Sequence, residues 1–226
     1  YSKKNMSWNN INWKIRSLLA DRIVALNSDM LNDFFPNSRR KVTLIPRGVD
    51  TEEFKPSRKN ADILKKFDIP EQADTIITVA NVIPRKGVLN LVEAFLEVVK
   101  EKKEVYLLIL GDDSSDYARE LKSRVKEAGG GFDRKVKFLG KQLDIALYYS
   151  IADVFVLPTS EEKGGEGCPV ALLEAMSSGL VSFATDVPGS REVLRNFPEF
   201  LIPPDNPARI KERLNWYFKL SDDKKN

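Results

Sequence analysis

The chain reads as an α/β protein built on a doubly wound, parallel sheet. Short runs of Val, Ile and Leu alternate with helical patterns from end to end. Most of these runs are continuously apolar, the mark of strands covered on both faces. Gly111, Gly140, Gly179 and Gly189 punctuate the element ends, as helix stops and turn signals do. Such strand–helix alternation places helices on both sides of a parallel sheet.

Taken in order, residues 9–20 predict a helix, 22–26 a strand, 29–35 a helix and 42–45 a strand. That opening segment is too small for an independent core, so residues 1–45 read as the tail of a preceding domain. Residues 46–61 contain Pro46, Gly48, Pro56 and several charges, the composition of an interdomain connector. A complete domain is expected over 62–205. Its strands are predicted at 75–80, 105–110, 136–139, 154–157, 181–184 and 200–202. Its helices are predicted at 62–67, 88–100, 116–127, 143–150, 169–178 and 190–196. Residues 206–226 form a last helix and tail, whose Leu214, Trp216, Tyr217 and Leu220 are free to dock elsewhere.

Composition narrows the function. An apolar fraction of 42% and a charged fraction of 31% are those of an ordinary soluble globular protein. The net charge of +3 is mild. Arg39-Arg40-Lys41 and Lys224-Lys225 are tight basic clusters, but a nucleic-acid footprint needs a concentrated stripe, so no nucleic-acid partner is expected. A single cysteine, Cys168, excludes an intramolecular disulfide and points to a reducing, cytoplasmic setting. With no His in the chain, Cys–His catalysis and His-based zinc sites are out of reach. No apolar run approaches the roughly 18–20 residues that span a bilayer. The start, Tyr1-Ser-Lys-Lys-Asn5, lacks a signal-peptide pattern and an initiator Met, as a fragment would.

The most informative stretch is Glu166-Gly-Cys-Pro-Val-Ala-Leu-Leu-Glu174. Glu174 is the sole charge between Gly167 and Thr185. A carboxylate in a buried segment needs a partner; otherwise Glu174 shares a thin solvent stripe with Ser177 and Ser178. Pro169 suits a first helical position, where its missing N–H removes no helical bond. Glu166 then sits on the loop entering a helix and Glu174 on its second turn, so one acid meets a ligand at the helix mouth while the other holds a more distal part.

A second motif, Val79-Ala-Asn-Val-Ile-Pro-Arg-Lys-Gly87, follows a strand and opens a long helix. Ligands of doubly wound sheets gather at such strand ends, and a helix amino end offers N–H donors to phosphate. Arg85 and Lys86 add full charge there, and Gly87 permits close backbone approach; the alternative is a solvated basic pair. Neither a dinucleotide glycine fingerprint nor a P-loop is present. Gly129-Gly130-Gly131 follows a helix and reads as a flexible connection. The acids Asp112, Asp113 and Asp116 suit a divalent cation in principle, but capping of the next helix by Ser115 or Asp116 is the commoner explanation. Lys141, after Phe138-Leu139-Gly140, lies at a further strand end where a base or phosphate can rest.

Taken together these motifs resemble the carboxyl half of the family-4 (group 1) glycosyltransferases of the GT-B fold. The resemblance runs from about Asp21 to Leu194. It rests on Ile45-Pro-Arg-Gly-Val-Asp50, Pro84-Arg-Lys-Gly87, Phe138-Leu-Gly140, Ala152-Asp-Val-Phe-Val-Leu-Pro158, the Glu166–Glu174 spacing and Pro188-Gly-x-x-Glu192. It implies a Rossmann-like domain that binds a nucleotide-diphospho-sugar donor. Glu166 would lie at the donor sugar, Glu174 at the nucleotide ribose and Lys86 at the diphosphate, with Glu166 and Lys86 serving catalysis. Asn81, Arg85, Gly87, Leu139, Gly140, Lys141, Gly167, Cys168, Pro169 and Val170 would line the donor site.

The resemblance also implies retention of anomeric configuration, without a metal or other cofactor. Fixed cations and N–H groups would then stabilise the charge on the departing nucleoside diphosphate. Two departures stand out. Ala80-Asn81 replaces the family's usual Gly-Arg, so an arginine at the diphosphate is lost unless Arg85 substitutes. Most of the acceptor-binding amino-terminal domain is also missing, and with it the family's active-site histidine and any peripheral contact with the inner face of a membrane. This fragment alone is not expected to turn over. The rival readings are a nucleotide-sugar-binding module without catalysis and a sugar-nucleotide epimerase of the same architecture.

Overall fold

The computed structural model describes residues 8–161 and 166–220, with side chains from residue 14 onward. Residues 1–5 and the Lys224-Lys225 cluster lie outside them. Two compact units divide between Gly48 and Val49. In the first, helix α1 (Trp8–Leu19), strand β1 (Ile23–Ala25), helix α2 (Pro36–Arg39) and strand β2 (Val42–Leu44) follow in order, with β1 parallel to β2. The helix expected over 29–35 is replaced by a 3₁₀ turn, Ser28–Asp33, capped by the Asn27 side chain. Phe35 is extended (φ −62°, ψ 147°) and α2 begins at Pro36. The reason is local: the residue before a proline is barred from the helical region.

The second unit holds α3 (Ala61–Lys66), β3 (Asp74–Val79), α4 (Val88–Glu101), β4 (Val105–Leu110), α5 (Asp116–Glu127), α6 (Phe132–Lys135), β5 (Val136–Gly140), α7 (Ile145–Tyr149), β6 (Val154–Leu157), α8 (Val170–Ser177), β7 (Val181–Thr185), α9 (Pro188–Val193), β8 (Leu201–Ile202) and α10 (Pro207–Phe218). Its six strands form one parallel sheet in the order β5-β4-β3-β6-β7-β8.

Side chains alternate across that sheet, and both faces are covered. Ile76, Leu107, Val154 and Phe183 point into a core shared with α4 (Leu91, Phe95, Val98), α5 (Leu121, Val125) and α10 (Ile210, Leu214, Tyr217). Their neighbours Ile77, Leu108, Phe155 and Ala184 point the other way, toward α3 (Leu64), α7 (Tyr148, Tyr149) and α8 (Leu172, Ala175). Burial on both faces is why these strands read as unbroken apolar runs.

Several elements differ from the sequence expectation. The stretch 46–61 is not a free connector from Val49 onward: Phe54 is buried and Val49 packs on the same core. The last helix does not stand apart, because Ile210, Leu214 and Tyr217 are buried against α4. Gly129, Gly130 and Gly131 all take positive φ, and a short helix, α6, follows them. α9 starts early because Pro188 supplies a ready first-turn φ. Ser115 caps α5, its oxygen accepting from Ala118 N–H at 3.1 Å.

Because α10 belongs to the core, truncating its most buried side chain will destabilise the whole domain. Leu214→Ala should cost about 2–5 kcal/mol in a urea titration, as buried Leu truncations do. A cost under about 0.5 kcal/mol would place α10 outside the cooperative unit.

Candidate functional site

β3 and β6 are neighbours, yet the chain winds away from them in opposite directions. β4 and β5 lie beyond β3, while β7 and β8 lie beyond β6. Loops leaving two such strands part company and open a crevice at their carboxyl ends. Lys86 comes from the loop after β3, and Thr159 and Glu166 from the loop after β6. A bond between Ser160 N–H and the Arg85 carbonyl (3.0 Å) stitches the two loops together.

The Lys86 loop is shaped by its backbone. Pro84–Lys86 forms one 3₁₀ turn, and Gly87 ends it at φ 63° while also starting α4. A Cβ at Gly87 would overlap the Pro158 carbonyl, so glycine is required both for its conformation and for the closeness of the β6 loop. Gly87, at the cap of α4, has no side chain to cap it, so among the described residues backbone donors and the positive dipole end face the crevice.

Glu166 is held on three sides. Lys86 Nζ bonds to its Oε1, Thr159 Oγ1 donates to the same oxygen at 2.7 Å, and the Arg85 guanidinium lies 3.9 Å from Oε2. The carboxylate is only 9% exposed and the lysine 17%. Losing one partner of a buried pair costs about 3–5 kcal/mol, so this contact fixes both side chains. The Glu166 backbone is fixed too: Gly189 N–H donates to its carbonyl at 3.0 Å. A Cβ at Gly189 would stand 2.7 Å from that oxygen, which explains a glycine after Pro188.

Glu174 belongs to a separate network. It lies half-buried on the second turn of α8, with Tyr149 Oη 3.3 Å from its Oε2; the phenol also donates to the Ala171 carbonyl at 3.0 Å. Burial raises the Glu174 carboxyl above its ordinary value; the Tyr149 hydroxyl opposes this and the Glu53 charge adds to it. Neither sequence alternative for Glu174 holds fully. It has a polar partner, yet a part of it is open to solvent. Of its suggested companions, Ser177 is engaged with the Phe54 carbonyl.

A third group gathers where β3, β4 and β5 end. Asn81 Oδ1 accepts from Asp112 N–H at 3.1 Å, and Lys141 Nζ lies 3.0 Å from Asp112 Oδ2. Asp113 pairs with Lys122 at 2.6 Å. All three acids of the possible cation motif thus have cationic partners, the third being Asp116, which pairs with Arg119. The Ser114 hydroxyl and N–H, together with Lys141, pull the Asp112 carboxyl down to about 2.

Comparison with known proteins fits this geometry. A family model described as "Glycosyl transferases group 1" matches residues 59–226, well over half of the chain. This chain belongs to the group 1 glycosyl transferases. It is 31% identical over 167 residues to a phosphatidyl-myo-inositol mannosyltransferase of Mycobacterium tuberculosis, covering 72% of this chain and 40% of that protein. It is 28% identical over 188 residues to the Escherichia coli UDP-Gal:alpha-D-GlcNAc-diphosphoundecaprenol alpha-1,3-galactosyltransferase, covering 81% of this chain and 46% of the relative. The chain therefore spans less than half the length of these curated relatives. Among solved structures, Anabaena Alr3699/HepE in complex with UDP-glucose aligns with a TM-score of 0.81 at 20% identity, over 96% of this chain and 60% of that one. The C-terminal domain of a group 1 family protein (LpcC) from Francisella tularensis aligns with a TM-score of 0.62 at 24% identity, over 79% of this chain and 90% of that domain.

In this group 1 chain, the residues singled out from sequence fall into distinct places. Arg85, Lys86 and Glu166 meet directly. Gly87 lies against Pro158 beside them, and Gly167 lies against Gly189. Cys168 is a half-buried free thiol on the same loop. Pro169 is the residue that caps α8 (φ −75°, ψ 101°), so Val170 takes the first helical position. That corrects the expectation by one residue: the Pro169 carbonyl accepts from Leu172 N–H at 3.1 Å while its own backbone stays extended. Asn81, Gly140 and Lys141 sit with Asp112 and Asp113. The Leu139 carbonyl accepts from the Gln142 side chain.

Sequence reasoning missed Thr159, Tyr149 and Asp205. Asp205 accepts from Ser160 Oγ at 3.1 Å and from Asn90 Nδ2 at 3.2 Å, tying the β6 loop to the start of α4. A polar residue just after Leu157-Pro158, at the end of a fully apolar strand, was a usable signal for Thr159. Tyr149 looks like any core aromatic. A cavity of about 760 Å³ lies elsewhere, near the amino ends of β3, β6 and β7, and is lined by Lys59, Asp74 and Asp153.

Two outcomes test this geometry. Gly87→Ala should destabilise the domain by about 2 kcal/mol or more, since it combines left-handed strain with an overlap; a change within 0.5 kcal/mol would contradict the packing. The Asp112 turn should survive mild acid. A depressed carboxyl contributes stability above its unfolded value, near 3.8, and loses it as the pH falls through about 2. An NMR titration of the Asp112 carboxyl with a midpoint near 4 would contradict this.

Proposed function

We propose that this chain is the donor-binding half of a retaining glycosyltransferase that moves a hexose from a nucleoside-diphosphate sugar to an acceptor. The carrying observation is the cluster of Lys86, Thr159 and Glu166, which joins residues 80 positions apart in the crevice where the sheet reverses its winding. Diphosphates suit that crevice, because a helix amino end and two cations face it. The relatives named above act with UDP-galactose or on phosphatidyl-myo-inositol, and the Anabaena neighbour holds UDP-glucose, which supports a nucleoside-diphosphate hexose as the donor class.

In this reading Lys86, with Arg85 beside it, meets the diphosphate, and Glu166 faces the hexose. Asn81 leaves the diphosphate one arginine short, and Arg85 supplies that cation from four residues on. Glu174 receives the two ribose hydroxyls as hydrogen-bond donors. The bond from the anomeric carbon to the β-phosphate oxygen breaks, and its electron pair stays on that oxygen. The acceptor hydroxyl attacks the same face of the sugar, and its proton passes to the departing phosphate. Fixed cations and backbone N–H groups stabilise the growing charge, so no metal takes part. Lys86 carries three donors, enough to keep Glu166 while binding a phosphate oxygen.

The acceptor is recognised, in this reading, by the part of the relatives' length that this chain does not span. Residues 1–48 belong with that part. Val24 and Leu44 of their two-stranded sheet are exposed, as is Leu19 at the end of α1, and a two-stranded sheet is marginal alone. No helix among the described residues is long and apolar enough to cross a membrane.

Three substitutions separate the roles. Lys86→Ala should strongly weaken binding of a nucleoside diphosphate and hardly affect the free nucleoside; equal losses would assign it a structural role. Glu174→Ala should weaken nucleoside diphosphate binding by about 1.5–3 kcal/mol, the range for hydrogen bonds to a charged group. Glu166→Gln keeps an acceptor for Thr159. In the full-length enzyme it should cut transfer by about two orders of magnitude or more, with nucleoside diphosphate affinity of this chain within twofold. Calorimetry with UDP, GDP and ADP, and the anomeric signal of the product by NMR, supply the readouts. Inversion of configuration, or transfer that survives Glu166→Gln, would overturn the assignment.

A further inference from the structure

Tyr149 is a buried phenol whose hydrogen-bonding end is aimed at a functional carboxylate rather than at the core. It is 1% exposed. Its ring is wedged edge-on between Phe54, at 6.1 Å, and Phe155, at 6.1 Å. Those contacts fix where the hydroxyl points: 3.0 Å from the Ala171 carbonyl and 3.3 Å from Glu174 Oε2. Ala171 lies one turn before Glu174 on α8, so the single O–H of the phenol is shared between a carbonyl of the helix and the side chain that the helix presents. A packing role alone would be served by phenylalanine, since burying a hydroxyl is costly unless it is bonded.

We propose that Tyr149 is a positioning residue that holds the Glu174 carboxylate in its ribose-binding orientation. The inference rests on the reading of Glu174 as the ribose acceptor. Without Tyr149 the side chain would regain its rotamers, and a bidentate contact to two adjacent hydroxyls depends on a fixed carboxylate plane. The charge state follows from the same contact. Burial raises the carboxyl, and Glu53, from the segment ahead of α3, faces it as a like charge; the Tyr149 hydroxyl on α7 acts in the opposite sense. Burial and the Glu174 charge push the phenol itself far above its ordinary value, so it remains a donor at every accessible pH. A ribose diol donates to the ionised form, so binding weakens as the pH falls through the Glu174 value of the free protein. Loss of the hydroxyl moves that fall to higher pH.

The test is Tyr149→Phe, which retains the ring and its edge contacts, with the melting temperature as the fold control. For UDP, GDP and ADP, the affinity of this chain is compared with that for the 2′,3′-dideoxy counterpart, across pH 4–8. The Glu174 carboxyl is titrated by carbon-13 NMR without ligand. Tyr149→Phe should reduce the ribose-to-dideoxyribose ratio about three- to tenfold, the range for one hydrogen bond, and raise the Glu174 midpoint. The double variant with Glu174→Gln should lose no more discrimination than Glu174→Gln alone. Equal losses for both sugars, or an unchanged ratio and midpoint while Glu174→Gln still abolishes discrimination, would overturn the role of Tyr149 and leave the ribose reading standing. A ratio near one in the unaltered chain, or one that Glu174→Gln does not change, would overturn both.

Discussion

The contact between Lys86 and Glu166, with Thr159 on the same carboxylate oxygen, is the constraint around which the candidate site is built. It joins the loops of the two strands from which the sheet winds in opposite directions. A carboxylate this buried needs its full complement of partners. The lysine, hydroxyl and nearby guanidinium supply them, and the backbone accommodates the result. Gly87 is left-handed and lies against Pro158, the Arg85 carbonyl takes the Ser160 N–H, and Gly189 presses on the Glu166 carbonyl. Each of these features allows less freedom than an ordinary surface loop, and each serves the same ion pair.

The second carboxylate follows a different logic. Glu174 is anchored in a helix by the regular α8 backbone and held by one phenol rather than by a cation. Burial and a like charge disfavour its ionised form, a cost that a ligand bringing hydroxyl donors would relieve. Glu166 is compensated within the protein, whereas Glu174 is only partly compensated. That asymmetry gives a physical basis for assigning them different ligand parts: a satisfied carboxylate serves as a fixed element of the reaction site, and an under-satisfied one as an acceptor for incoming donors.

Most of the fold was legible because its signal is local. Short unbroken apolar runs such as 105–110 and 154–157, bounded by turn residues, suit strands buried on both faces, and every strand expected in the second unit is present within a residue or two. Departures occurred where a single bond or ring decided the outcome. Phe35 could not be helical before Pro36. Pro169 became a cap because its carbonyl already serves the helix while its backbone stays extended. The last helix was misread because its large side chains resemble a docking surface until the groove on α4 that receives them is seen.

The sequence by itself determined the fold class, the family resemblance and the chemical character of the site: two spaced carboxylates, a basic pair at a helix mouth, and no histidine. These are set by residue type and short-range spacing, which survive any rearrangement of the chain in space. Only the tertiary structure decided who meets whom. Lys86 and Glu166 had been assigned to different parts of a ligand, and they are ion-paired, because β3 and β6 lie side by side although far apart along the chain. Asn81 is bonded to Asp112 rather than left open, because β3 and β4 end level with one another. Tyr149 reaches Glu174 because two phenylalanines hold its ring in place. Partnerships of this kind depend on distances that packing creates, and no pattern along the chain encodes them.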